Sequence, residues 1–223
     1  MSRRRLIALS GMDCAGKTTQ IDLLYDWAEQ RGWSPRVLWY RPGYSPLLNA
    51  LRRTLRRAAP SSLPAQGNRT ARDQALSRPW VRNGWLVAAL LDTAIHYGLV
   101  VRTQLWRRRF VICDRHLEDA ELDLLLAFPE RSKVVATTFF VIKALSPVPH
   151  HQFLLTIPLE EIGRRSAEKN EPFPDDPKTR SARNAAYLRI SAQEGRDVFS
   201  GLLARETIHA AIVATLERTS ANP

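Results

Sequence analysis

Cysteine is scarce: two in 223 residues, Cys14 and Cys113, are too few for a disulfide framework. That fits a reducing, cytoplasmic setting. No zinc-type cysteine and histidine spacing, internal repeat or aromatic-rich β-ribbon is present. Long uncharged apolar runs are missing too. The longest apolar stretch, Trp80 to Trp106, is broken by Asp92, His96, Tyr97 and Arg102, which disfavours a membrane span. The opening Arg3–Arg5 cluster runs straight into an apolar strand, so the N-terminus reads as part of the fold and not as a secretory signal. Acidic residues are the minority charge, 22 against 33 basic ones, for a net +11 and a pI near 10.4. Most of the bases are arginine, clustered at 3–5, 52–57 and 107–109. A nucleic-acid surface is one reading. Solvated helix faces on a protein with anionic substrates is the preferred one, so neither a nucleic-acid nor a membrane partner is expected.

What is present is a phosphate-binding loop. Gly11-Met12-Asp13-Cys14-Ala15-Gly16-Lys17-Thr18 is a complete G-x-x-x-x-G-K-[ST] pattern. The apolar run Leu6–Leu9 precedes it, and Ile21, Leu24 and Trp27/Ala28 follow at helical spacing. Strand, glycine loop and helix are the context the motif requires. The glycines let backbone N–H groups turn inward, and the helix N-terminus adds partial positive charge where phosphates sit. Lys17 then reaches the β- and γ-phosphates of a nucleoside triphosphate, and Thr18 holds Mg²⁺. Cys14 reads as a small loop residue in preference to a reactive thiol.

The length suits one domain, residues 1–223. Further strands are expected at Val37–Tyr40, Phe110–Cys113, Phe153–Ile157 and Val198–Phe199, with helices at about 46–57 and 80–106. Residues 60–70 read as an exposed mobile loop. Strands alternating with helices predict a parallel five-stranded sheet covered on both faces, a three-layer α/β fold. Ligands bind at the carboxyl ends of such strands. Asp13, Arg41, Asp114 and Arg115 all follow strand ends and are expected to converge there. Asp114 suits the metal shell and Arg115 a second phosphate.

With these two motifs in view, Gly11–Gln20 together with Cys113-Asp114-Arg115-His116 resembles the thymidylate kinase family of P-loop nucleoside monophosphate kinases. Leu159–Arg165 resembles the helix that leads into that family's lid, here about residues 164–178. Val198–Gly201 followed by Glu206–His209 resembles its last strand, adenine-side loop and final helix. The resemblance implies ATP- and Mg²⁺-dependent phosphoryl transfer to a nucleoside 5′-monophosphate, with homodimer formation. By position, Gly11 to Thr19 and Gly201 would serve ATP, Thr18 and Asp114 the metal, and Asp13 and Arg115 the acceptor. The family supplies a transition-state cation from the loop or the lid. Cys14 occupies the loop position, so Arg164, Arg165 and Lys169 are the candidates.

The acceptor side departs from the family pattern. Tyr40-Arg41-Pro42-Gly43-Tyr44 displaces Arg41 by one residue, and Tyr44 is a candidate to stack on a ring, as are Trp80 and Trp85. The arginine that reads thymine falls on Thr93, and the Ser and Ala-Tyr-Gln after the Asp-Arg pair are missing from Leu117–Leu122. Thus dTMP is the default acceptor, with an unusual nucleotide or small phosphorylated metabolite as the alternative. No acidic residue near Tyr40–Pro42 can act as the base that a neutral hydroxyl acceptor needs, which disfavours deoxynucleoside kinases. The absence of Asn-Lys-x-Asp disfavours a GTPase. A non-catalytic nucleotide-binding or nucleic-acid-associated protein is the remaining class.

Overall fold

The computed structural model describes residues 5–45, 48, 50, 77–107, 109–168, 176–192 and 196–221. Most of the helix expected at 46–57, the 60–70 loop, and lid residues 169–175 with Lys169 lie outside them.

Five parallel strands form one sheet: β1 (Arg5–Gly11), β2 (Pro35–Trp39), β3 (Phe110–Asp114), β4 (His151–Thr156) and β5 (Asp197–Ser200), in the order β2-β3-β1-β4-β5. Parallel neighbours need a crossover between them, and the helices that provide it cover both faces. The alternation of side chains makes this explicit. Ile7, Leu9, Phe110 and Ile112 point into one core cluster, whereas Leu6, Ala8, Val111 and Cys113 point into the other. The first cluster is closed by α1 (Lys17–Gln30), through Ile21, Leu24, Trp27 and Ala28, and by α7 (Arg205–Ala221), through Ile208, Ile212 and Leu216. The second is closed by the long helix α2 (Pro79–Trp106) and by α4 (Ser132–Leu145).

Helix α2 is long and apolar enough to cross a membrane by length and composition alone. Here Leu86, Ala89, Leu90, Tyr97, Val101 and Leu105 pack it against the sheet. Its middle, His96–Val101, widens into a π-helical turn. Three described helices were not foreseen: α3 (Leu117–Ala127), α4, and α6 (Pro177–Ser191). The α4 sequence is rich in β-branched and aromatic residues of poor helix propensity. Val135, Phe139 and Ile142 nevertheless recur at i, i+4 and i+7 and are buried, so packing overrides propensity. Helix α6 is started by Asp176, whose carboxylate accepts from the Lys178 and Thr179 N–H groups at 3.0 Å, with Pro177 in the first helical position. Helix α5 (Leu159–Glu168) carries Arg164 and Arg165.

Candidate active site

The phosphate loop hangs between β1 and α1. Gly11 has φ +136° and lies so close to β4 that a Cβ would strike the Leu155 carbonyl oxygen, so only glycine fits. Met12 and Ala15 are buried and anchor the loop to the core. Lys17 is 8% exposed, and its ammonium donates to the carbonyls of Gly11 at 2.9 Å and Met12 at 2.7 Å. Burial, and then the charge of Arg115, lowers its pKa from the usual lysine value. The loop opens into a cleft of about 430 Å³ lined by Lys17, Thr18, Trp39, Asp114, Arg115 and Arg165, with Asp13, Cys14, Gly16 and Thr19 completing its loop side.

The opposite wall comes from the end of β3. Strand pairing sets Asp114 beside Leu9 of β1 and Trp39 of β2. The chain then turns sharply, because Arg115 holds φ +76°, a left-handed conformation that costs a non-glycine residue about 1–3 kcal/mol. Its amide donates to the Leu9 carbonyl at 2.9 Å, which fixes the backbone of this turn on β1. One terminal nitrogen pairs with Asp13. The other, Nη1, is buried with no hydrogen-bond partner among the described residues, and so is Asp114 Oδ1. A buried donor that wants an anion thus sits beside a buried acceptor that wants a cation. Burial raises the Asp114 pKa and leaves the carboxylate in need of positive charge. At Asp13 burial acts the same way, but Arg115 and Lys17 outweigh it and hold the carboxyl below its usual value. The Thr18 hydroxyl and the Asp114 carboxylate are oxygen ligands that fit Mg²⁺, and the Arg115 fork fits a phosphate.

Arg165 reaches the loop from the lid side. It donates to the carbonyls of Cys14 and Gly201, both at 3.2 Å, while Glu161 holds its Nε at 2.6 Å. Gly201 presses on the loop as well, since a Cβ there would come within 2.5 Å of the Ala15 carbonyl oxygen. Arg164, by contrast, is exposed and bridges Glu161 and Glu168, away from the cleft.

Three acceptor-side expectations need correction. Thr93 is fully buried; its hydroxyl donates to the Ala89 carbonyl at 2.7 Å and lies 2.8 Å from the Tyr40 hydroxyl, so it faces core and not cleft. Tyr44 is half exposed outside the cleft lining, edge-on to Trp39 with ring centroids 6.4 Å apart. Arg41 does not line the cleft either; its Nε donates to Asp123 at 3.1 Å. Trp85 stacks on Phe128 at 5.5 Å, as core packing requires.

Two features escaped the sequence reading. Trp39, half exposed, lines the cleft beside Asp114, and its place at a strand end was the available signal. Asp119 accepts from Ser10 Oγ at 2.5 Å, from the His116 amide at 2.8 Å and from the Tyr187 hydroxyl, and so ties β1, α3 and α6 together behind the loop. Its spacing three residues after His116 is that of a capping box.

No family model matches the chain. It is 26% identical over 218 residues to a probable thymidylate kinase of Pyrococcus abyssi, spanning 96% of this chain and 97% of that one. A thymidylate kinase of Synechococcus is 32% identical over 115 residues, half of this chain and 47% of its own length. The crystal structure of thymidylate kinase from Ehrlichia chaffeensis superimposes with a TM-score of 0.61 at 15% identity, over 96% of this chain and 98% of that one. Along nearly its whole length the sequence is thus similar to that of a probable thymidylate kinase, and the parallel fold is that of a solved thymidylate kinase.

Proposed function

We propose that the protein transfers the terminal phosphoryl group of ATP, with Mg²⁺, to a nucleoside 5′-monophosphate. The observation that carries this reading is the pair of unfilled buried groups, Asp114 Oδ1 and Arg115 Nη1, set across from Lys17. Lys17 and the loop amides hold the donor phosphates, and Thr18 and Asp114 hold the metal, which neutralises charge on the transferring group. Arg115 grips the acceptor phosphate. An acceptor phosphate oxygen is already anionic and attacks without a general base; the γ-phosphorus–oxygen bond to ADP breaks as the new one forms. Arg165, already at the loop backbone, is the better placed of the two described lid arginines to supply charge to the transition state. The donor-side role of Gly201 and a cytoplasmic location belong to the same reading.

dTMP is the default acceptor, but with Thr93 sealed in the core the base is poorly read among the described residues. A site built to hydrogen-bond a base edge discriminates by about 10⁴-fold or more, and one without such groups by far less. The test is Mg²⁺-dependent ADP formation with dTMP, dUMP, dCMP and dGMP. The expected result is turnover with kcat/KM for dTMP less than about a hundredfold above the best competitor. A larger preference would show that another residue reads thymine. Turnover confined to a different phosphorylated metabolite would favour the unusual-acceptor alternative, and no ADP with any acceptor would favour a binding protein.

A homodimer is part of the same reading. Val87, Leu91, Ile95 and Leu99 form an exposed apolar stripe at four-residue spacing on α2, a face of the sort that a second copy covers. Sedimentation at micromolar concentration should give twice the 25.3 kDa chain mass, and a monomer would sink the assignment.

A further inference from the structure

Trp39 ends β2, the outermost strand of the sheet, in register with Asp114 of β3 and through it with Leu9 of β1. Side chains two residues apart on a strand share a face. Val37 and Ile112 both belong to the cluster under α1, so Trp39 and Asp114, each two residues further on, lie on that face as well. Thr18, in the first turn of α1, lines the cleft from the same side. Because β3 runs between β1 and β2, a metal held by Thr18 and Asp114 has the phosphate loop on one flank and the Trp39 indole on the other. Among the described residues that line the cleft, Trp39 carries the only large apolar side chain. It is 51% exposed and is braced edge-on by Tyr44. An indole offers no oxygen ligand to a cation and no charge to a phosphate. What it supplies in this place is bulk that excludes water, the competing nucleophile in phosphoryl transfer.

We infer that Trp39 is a specificity-determining residue: its indole closes the outer flank of the metal and γ-phosphate compartment at the sheet edge, so that the phosphoryl group passes to the acceptor and not to water. Water admitted there forms a bond to the γ-phosphorus as the bond to ADP breaks, and inorganic phosphate and a proton are released. Transfer to the acceptor yields ADP without inorganic phosphate, so the two routes are separable. This role presupposes the phosphoryl-transfer reading above.

The experiment follows ADP and inorganic phosphate together, with Mg·ATP and dTMP or whichever monophosphate of the panel turns over fastest, and again without acceptor. Trp39→Ala should raise acceptor-independent phosphate release by about tenfold. Transfer to the acceptor should stay within about threefold of the parent rate. Trp39→Phe restores apolar bulk and should hold phosphate release near that of the parent. A merely structural role would lower both routes together. A second readout needs no turnover: acrylamide quenching of the six tryptophans with and without Mg·ADP. The quenchable component that the parent has and Trp39→Phe lacks should be lost when Mg·ADP fills the cleft. Should Trp39→Ala not fold, Trp39→Thr, a residue suited to a strand, takes its place with the same expectation. Unchanged phosphate release in Trp39→Ala, an equal rise in Trp39→Phe, or a Trp39 component as quenchable with Mg·ADP as without would each overturn the inference while leaving the activity in place. A parent that forms ADP with no acceptor of the panel would overturn it together with the function it rests on.

Discussion

Lys17→Ala is expected to cut phosphoryl transfer by about 10³-fold while the protein stays folded. The two effects separate for a physical reason. The ammonium is buried against the Gly11 and Met12 carbonyls, and burial together with Arg115 lowers its pKa, so the fold gains little from the charge. In the transition state the same charge faces oxygens that become more negative, in a cleft where water screens it poorly. Loss of the side chain exposes two carbonyls at the mouth of an open cleft, where water replaces the donor. Far-UV circular dichroism and the melting temperature should therefore stay near those of the parent while kcat collapses. Turnover at the parent rate would remove the phosphate loop from the chemistry, and the enzyme reading with it.

Arg115→Ala should raise the acceptor KM by about a hundredfold and change ATP affinity by no more than a few-fold, the scale for loss of a charge-assisted bidentate contact. The strained backbone at φ +76° is no easier for alanine than for arginine, so the turn gains nothing. Asp13 loses its nearest cation, and its carboxyl rises towards the ordinary range, but it is more than a third exposed and hydration limits the damage. Arg115→Lys separates charge from shape: it keeps the cation, loses the planar fork, and should fall between the two. Kinetics with the two substrates varied independently decide the matter. A loss of ATP affinity with normal acceptor affinity would move Arg115 to the donor side of the cleft.

The parts that sequence made legible are those where backbone geometry compels residue identity. Gly11 is glycine because Leu155 leaves no room, and Lys17 follows at the helix start the motif requires. Asp114 closes an apolar strand, so its place at the sheet edge could be read from pattern alone. The alternation of β1 and β3 between two cores follows from period two. Less legible was everything that depends on partners far away in the chain. Ser10 and Asp119 stand 109 residues apart, and Arg183 and Asp123 stand 60 apart, so no local pattern announces either pair. Thr93 was misplaced for the same reason: counting along a helix gives its height but not its direction, and Tyr40 and Ala89 claim its hydroxyl. Arg164 and Arg165, adjacent in sequence, point to different neighbours, and only the position of Gly201 and Cys14 distinguishes them.

The widened turn at His96–Val101 carries a consequence for how this helix tolerates change in length. In a regular α-helix, contacts repeated every four residues drift round the axis by about 40° at each step. Helix α2 buries Tyr97, Val101 and Leu105 at that spacing, and the broader turn absorbs the drift and keeps all three on the sheet. The segment thus behaves as a helix that holds one residue more than its pitch allows. Removing a single residue between His96 and Val101 lets the turn tighten to α and preserves the packing on both sides, whereas the same deletion nearer Leu86 swings the rest of the helix by about 100°. A one-residue change of length is therefore best tolerated at this turn, next to Tyr97, whose hydroxyl donates to the Arg115 carbonyl at 3.4 Å.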